Sequence, residues 1–173
     1  GLPLTAQNPP AARPSPDTSG RLPIRVARVP KTSRADTLRG SFDTPGRNWW
    51  AATFYDLHVA ITPRDSSIAG SNGITYRVLA PAQEMQIDLM EPLQVDSMVQ
   101  ERRKVKFRRE GAAFFATLKA PQRIGEMKSI IVYYHGRPRI ASNPPWAGGF
   151  TWTTDSLGRP WVVTTDQGMG ASA

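Results

Sequence analysis

The chain has 173 residues, no cysteine, and 22 Lys and Arg against 14 Asp and Glu, a formal net charge of +8. That length can bury a core without staples, and the missing cysteine excludes a disulfide framework and any thiolate metal site. No apolar run approaches the roughly 20 residues of a membrane-spanning helix, and no secretory signal peptide is visible.

Residues 1–48 carry eight Arg or Lys and three Asp or Glu, so most of the basic excess lies there. The same stretch holds Pro3, Pro9, Pro10, Pro14, Pro16, Pro23, Pro30 and Pro45, with almost no aromatic content. Such a segment buries too little apolar surface to offset its ordering entropy. It is expected to be an extended arm or linker, with Ile24–Val29 loosely alternating as a short edge strand. Order is expected from Trp49 onward, so residues 49–173 form the domain. Tyr55, Leu57, Val59 and Ile61 alternate with Asp56, His58, Ala60 and Thr62, which predicts a strand with one buried face. Pro63–Ser66 reads as a turn. A second strand runs from about Ile68 to Leu79, with Ile74, Tyr76 and Val78 on one face. Gly70 and Gly73 inside it suggest a bulge or tight bend.

Met85, Ile87 and Leu89 predict a third strand. Leu93 and Val95 open a fourth that reaches Val99, with a slip of phase near Ser97. After a turn at Glu101–Lys104, Val105 and Phe107 make a fifth, and Glu110-Gly111 turns into a sixth with Phe114, Ala116 and Leu118. Ile130, Val132 and Tyr134 form one face of a seventh strand, and Ile131 and Tyr133 the other. Apolar residues on both faces predict a central strand covered on two sides. Phe150 and Trp152 start a strand, Asp155–Pro160 turns, and Trp161–Val163 form another. Many short strands with turn signals every 8–12 residues predict an all-β fold, an antiparallel sandwich or open barrel.

The residues that carry chemistry are sparse. His58 and His135 each lack a second histidine at metal-ligand spacing. There is no Gly-x-Ser-x-Gly elbow, and carboxylates such as Asp88 and Glu91 are scattered rather than paired. Neither a catalytic residue nor a metal ligand is therefore assigned. The basic cluster Arg102, Arg103, Lys104, Lys106, Arg108 and Arg109 surrounds an inward Phe107 and reads as a solvated face. As a nucleic-acid patch it would need exposed aromatics between its charges. Trp146, Trp152 and Trp161 are close in sequence, and read either as buried apolar bulk or as a stacking platform for sugar. The segment Asp166-Gln167-Gly168-Met169-Gly170-Ala171-Ser172 has too few glycines and no lysine for a phosphate loop. Its glycines permit close approach of a ligand or another domain, and a glutamine amide can both donate to and accept from a peptide group.

Taken in order, Trp49-Trp50, Tyr55–Val59, Ile68–Ser71, Met85–Leu89, Lys106–Gly111, Ile131–Gly136, Asn143–Trp146, Gly148–Phe150 and Gln167–Ser172 resemble the N-terminal domain of M1-family zinc aminopeptidases over about residues 47–173. The resemblance implies a saddle-like antiparallel β-sandwich that packs on a catalytic domain of the same protein. It implies that Gln167 contacts the N-terminal end of a peptide substrate and that Gly168, Met169, Gly170 and Ala171 line the site nearby, with residues 143–173 as the edge facing that catalytic domain. The family's zinc motif, its Gly-x-Met-Glu-Asn motif and its catalytic tyrosine are absent, so zinc is expected only in a longer parent protein. By itself the chain is expected to be inactive and to hold no cofactor. The arm ahead of a β-domain is read as a spacer in an exported or cell-envelope protein. The expected partners are the catalytic domain and peptide, with neither nucleic acid nor a membrane span. The alternative is a free-standing carbohydrate-binding or adhesion module that uses the tryptophans.

Overall fold

A computed structural model describes residues 34–38, 40 and 43–165. One short helical turn, α1 (Arg34–Leu38), precedes nine strands. These are β1 (Trp50–Thr62), β2 (Ser67–Val78), β3 (Glu84–Asp88), β4 (Gln94–Gln100), β5 (Arg103–Glu110), β6 (Ala113–Thr117), β7 (Met127–Gly136), β8 (Gly149–Thr154) and β9 (Pro160–Thr165). The first seven form one sheet in the order β1-β2-β7-β4-β5-β6-β3. Every neighbouring pair in it is antiparallel.

The sheet curls because β5 divides its pairing. Its first three residues, Arg103–Val105, pair with Gln100–Met98 of β4, and Lys106–Glu110 pair with β6. The strand turns a corner between the two halves, and the sheet closes into a half-barrel around its own apolar face. The β4–β5 hairpin has a two-residue loop with positive φ at Glu101 (50°) and Arg102 (63°). That backbone matches the right-handed twist of the strands it joins.

The core lies inside the curl. Trp49, Ile74, Tyr76, Val78, Met85, Met98, Phe114, Leu118, Ile130 and Val132 pack into one buried cluster. Trp49 meets the Tyr76 ring edge-on, with centroids 5.9 Å apart, and its Nε1 donates to the Glu84 carbonyl oxygen at 2.8 Å. Two buried polar groups are fully partnered, as burial demands. The Gln100 amide donates to the Tyr76 hydroxyl at 2.7 Å, and that hydroxyl donates to Gln122 Oε1 at 3.3 Å. Burial pushes the Tyr76 hydroxyl up to about 12, against the opposing hydrogen bond from Gln100.

Gln86 is the second. It accepts from Thr44 at 2.7 Å and donates to the Leu38 carbonyl oxygen at 2.9 Å. Through these bonds the residues before Trp49 are tied to β3. Gly40 N and Arg47 both reach Asp88 Oδ2, and Leu38 packs on Ala113 and Phe115. This cover is why β6 is buried on both faces.

Three sequence expectations change. Tyr55, Leu57, Val59 and Ile61 are not a buried face: they are 56, 59, 41 and 49% exposed. Alternation makes a strand amphipathic, but β1 is the edge of the curl, and nothing in the described residues lies over it. β7 is central, between β2 and β4, yet only its Ile130-Val132-Tyr134 face is buried, while Ile131 and Tyr133 stay exposed. Gly70 and Gly73 cause no bulge, since β2 runs in continuous register with β7. The irregularity is instead in β1, between Ala52 and Phe54. The slip of phase expected near Ser97 is present, between Val95 and Ser97.

Candidate functional site

The β8–β9 hairpin carries the chain toward the predicted site. Its turn is built by Asp155, whose Oδ1 accepts from the backbone N–H groups of Leu157 and Arg159 at 2.9 Å each. Asp155 Oδ2 accepts from Arg159 Nε at 2.7 Å. The Arg159 N–H is the main cause that holds the Asp155 carboxyl below its ordinary value. Gly158 supplies the positive φ (75°) that the turn requires.

The hairpin is tied to the segment after β7. Phe150 N donates to the Arg139 carbonyl oxygen at 2.8 Å, and Ala141 N donates to the Phe150 carbonyl oxygen at 3.0 Å. At its root, Gly149 pairs with Thr165. There a cavity of about 180 Å³ is lined by residues that include Met90, Leu93, Arg139, Phe150 and Thr165. Gln167, Gly168, Met169, Gly170 and Ala171 follow directly and lie outside the described residues.

The tryptophans do not share one environment. Trp146 and Trp161 are 66 and 56% exposed. Trp152 is half-buried and stacks on Phe150, with centroids 5.5 Å apart. Its Nε1 is buried without a hydrogen-bond partner among the described residues. The buried reading thus fits Trp152 best, and the other two present their rings to solvent.

The two histidines stand apart in use. His58 Nε2 lies 3.1 Å from Asp56 Oδ1 on exposed β1, and His135 Nδ1 lies 2.6 Å from Asp96 Oδ1. Among the described residues no three His, Asp or Glu side chains converge on a point that could hold a metal ion, so these residues do not fit a zinc site.

The basic cluster is partly used within the chain. Arg108 meets Glu84 and Glu110 and lies over the Phe115 ring at 3.9 Å. Arg109 meets Glu91 and hydrogen-bonds Gln94. Sequence reasoning found strand β1 but missed that it is a sheet edge, with its apolar row and Asp56–His58 pair both open. The signal was its length, 13 residues with no proline, lysine or arginine.

The half-barrel of seven antiparallel strands with an appended hairpin is a fold shared with solved M1 zinc metallopeptidases. In particular, the chain is similar to the M1 zinc metallopeptidase from Deinococcus radiodurans, with a TM-score of 0.52 and 20% identity over 64% of this chain and 27% of that one. It is also similar to native leukotriene A4 hydrolase from Saccharomyces cerevisiae, with a TM-score of 0.53 and 16% identity over 81% of this chain and 22% of that one. The chain thus spans about a quarter of the length of the solved structures it matches. No family model and no curated protein matches the sequence.

Proposed function

We propose that this chain is the N-terminal β-domain of an M1-like zinc aminopeptidase and works by packing against a catalytic domain and closing one side of its substrate cleft. The observation that carries the reading is the likeness of fold to M1 zinc metallopeptidases. In this reading the Gln167 amide hydrogen-bonds the N-terminal end of a peptide, and Gly168, Met169, Gly170 and Ala171 line the approach. Zinc is held by the catalytic domain and by none of the residues described here. The Pro-rich arm is the spacer of an exported or envelope protein. The test is zinc content and aminoacyl-anilide hydrolysis by the full-length polypeptide that carries this domain. One bound zinc and hydrolysis lost to a chelator support the reading; a zinc-free polypeptide with no such activity refutes it.

A second reading has its own observation. The exposed rings of Trp146 and Trp161 suit stacking against a sugar face, as a carbohydrate-binding or adhesion module requires. Saturable quenching of tryptophan fluorescence by a glycan, lost in Trp161→Ala, would favour it over the first.

A further inference from the structure

We propose that β1 is a self-complementary edge that pairs antiparallel with β1 of a second copy of this chain, on a two-fold axis through Leu57. The proposal is independent of the aminopeptidase reading. Edge strands expose a row of unpaired backbone groups, and native proteins blunt them with proline, lysine, bulges or cover. Beyond its one irregularity near Thr53, β1 shows none of these devices among the described residues: Phe54–Ala60 contains no proline, lysine or arginine. Tyr55, Leu57 and Val59 lie exposed along one face, and Asp56 and His58 along the other.

The Asp56–His58 pair selects one register. With Leu57 opposite Leu57 of the other copy, Asp56 falls opposite His58 and His58 opposite Asp56. On the same axis Tyr55 faces Val59 and Phe54 faces Ala60. The Asp56–His58 pair, 3.1 Å apart within one chain, then becomes a ring of four alternating carboxylate and imidazole groups. Shifting the axis to Asp56 sets two carboxylates against each other, which destabilises a cross-strand pair, and shifting it to His58 leaves Asp56 opposite Ala60 with no imidazole to meet. An axis through a residue is the isologous geometry of a two-fold dimer. The apolar rows of both copies then lie side by side on one face of a continuous sheet, where opposed side chains pack against each other across the new strand pair.

The chain contains no cysteine, so single-cysteine variants read the register directly. Opposed residues of an antiparallel pair have Cα atoms about 4.5–5.5 Å apart, within disulfide reach. Two copies of position 59 would be about 13 Å apart, four residues along the strand. Under mild oxidation, Leu57→Cys is expected to cross-link at least about tenfold faster than Val59→Cys. Mixed Tyr55→Cys and Val59→Cys chains should cross-link to each other. Sedimentation of the unaltered chain should give a dimer, and Leu57→Lys a monomer with unchanged circular dichroism. Leu57 is exposed, so that variant leaves the core alone; should it fail to fold, the cross-linking rates still decide. Equal rates for the two cysteine variants, a monomeric unaltered chain, or a monomer that takes up an added extended peptide at β1 would each overturn the proposal.

Discussion

At Tyr76, one hydroxyl joins burial to hydrogen bonding. Its value of about 12 lies above the ordinary 10.0 because burial disfavours the phenolate. A raised value means that the folded chain holds a proton the unfolded chain releases. The contribution is whole below pH 10 and is lost as pH rises toward about 12. Urea titrations across that range should show stability falling, and Tyr76→Phe should flatten the fall. At neutral pH the same variant is expected to cost about 1–2 kcal/mol, because it leaves the Gln100 amide only the longer bond to Gln122 Oε1 at 3.5 Å. Gly70 has a different cause. A methyl there would overlap the His58 carbonyl oxygen, whereas at Gly73 it would sit 3.3 Å from Asp56 Cβ. Gly70→Ala should therefore cost about 1–3 kcal/mol through forced backbone movement, and Gly73→Ala less; denaturant midpoints compare the two. Neither feature was legible in the sequence. Gln100 and Gln122 reach Tyr76 from far along the chain, and the two glycines look alike until β1 is laid beside β2.

Among the elements, alternation was a sound guide to where strands run and a poor one to what covers them. Every strand predicted between Tyr55 and Val163 has its counterpart, and the slip near Ser97 marks a true break in the β4–β7 register. Period 2 reports that a strand has two unlike faces. It does not report whether a layer lies over the apolar one, and on β1 no described residue does. The same limit applies to Ile131 and Tyr133 on β7. The β8–β9 hairpin shows what turn chemistry adds: Asp155 at the turn is readable as a turn residue, and the structure assigns it three hydrogen bonds. Its carboxyl is held below the ordinary 3.8, so the stabilisation it provides is present above that value and disappears as pH falls below it. The protection of amides in β8 and β9 relative to their intrinsic exchange should fall in acid, and Asp155→Ala should reproduce that fall at neutral pH. Exchange in β2 and β7 should be unaffected by the substitution.

For the molecule, the fold and the functional reading rest on different supports. The half-barrel is read from strand pairing and a shared core, and it agrees with the ordered set of short segments that resembles M1 aminopeptidases. The site reading rests on one amide, and Gln167 lies outside the described residues, just past the root of the hairpin. Composition alone gave that position little weight, since a glycine-rich run permits close approach without specifying to what. The order of the preceding segments is what singled it out. Exposed apolar rows on β1 and β7, with Trp146 and Trp161 bare, give this chain several faces suited to covering by protein or ligand.

Loss of one hydrogen bond to a charged substrate terminus costs about 1.5–3 kcal/mol, which corresponds to about a 10- to 160-fold fall in rate. The most direct test is therefore kcat/KM for an aminoacyl anilide, measured in the full-length polypeptide with Gln167 and with Gln167→Ala. The account predicts a fall within that range. Equal values for the two proteins would contradict it.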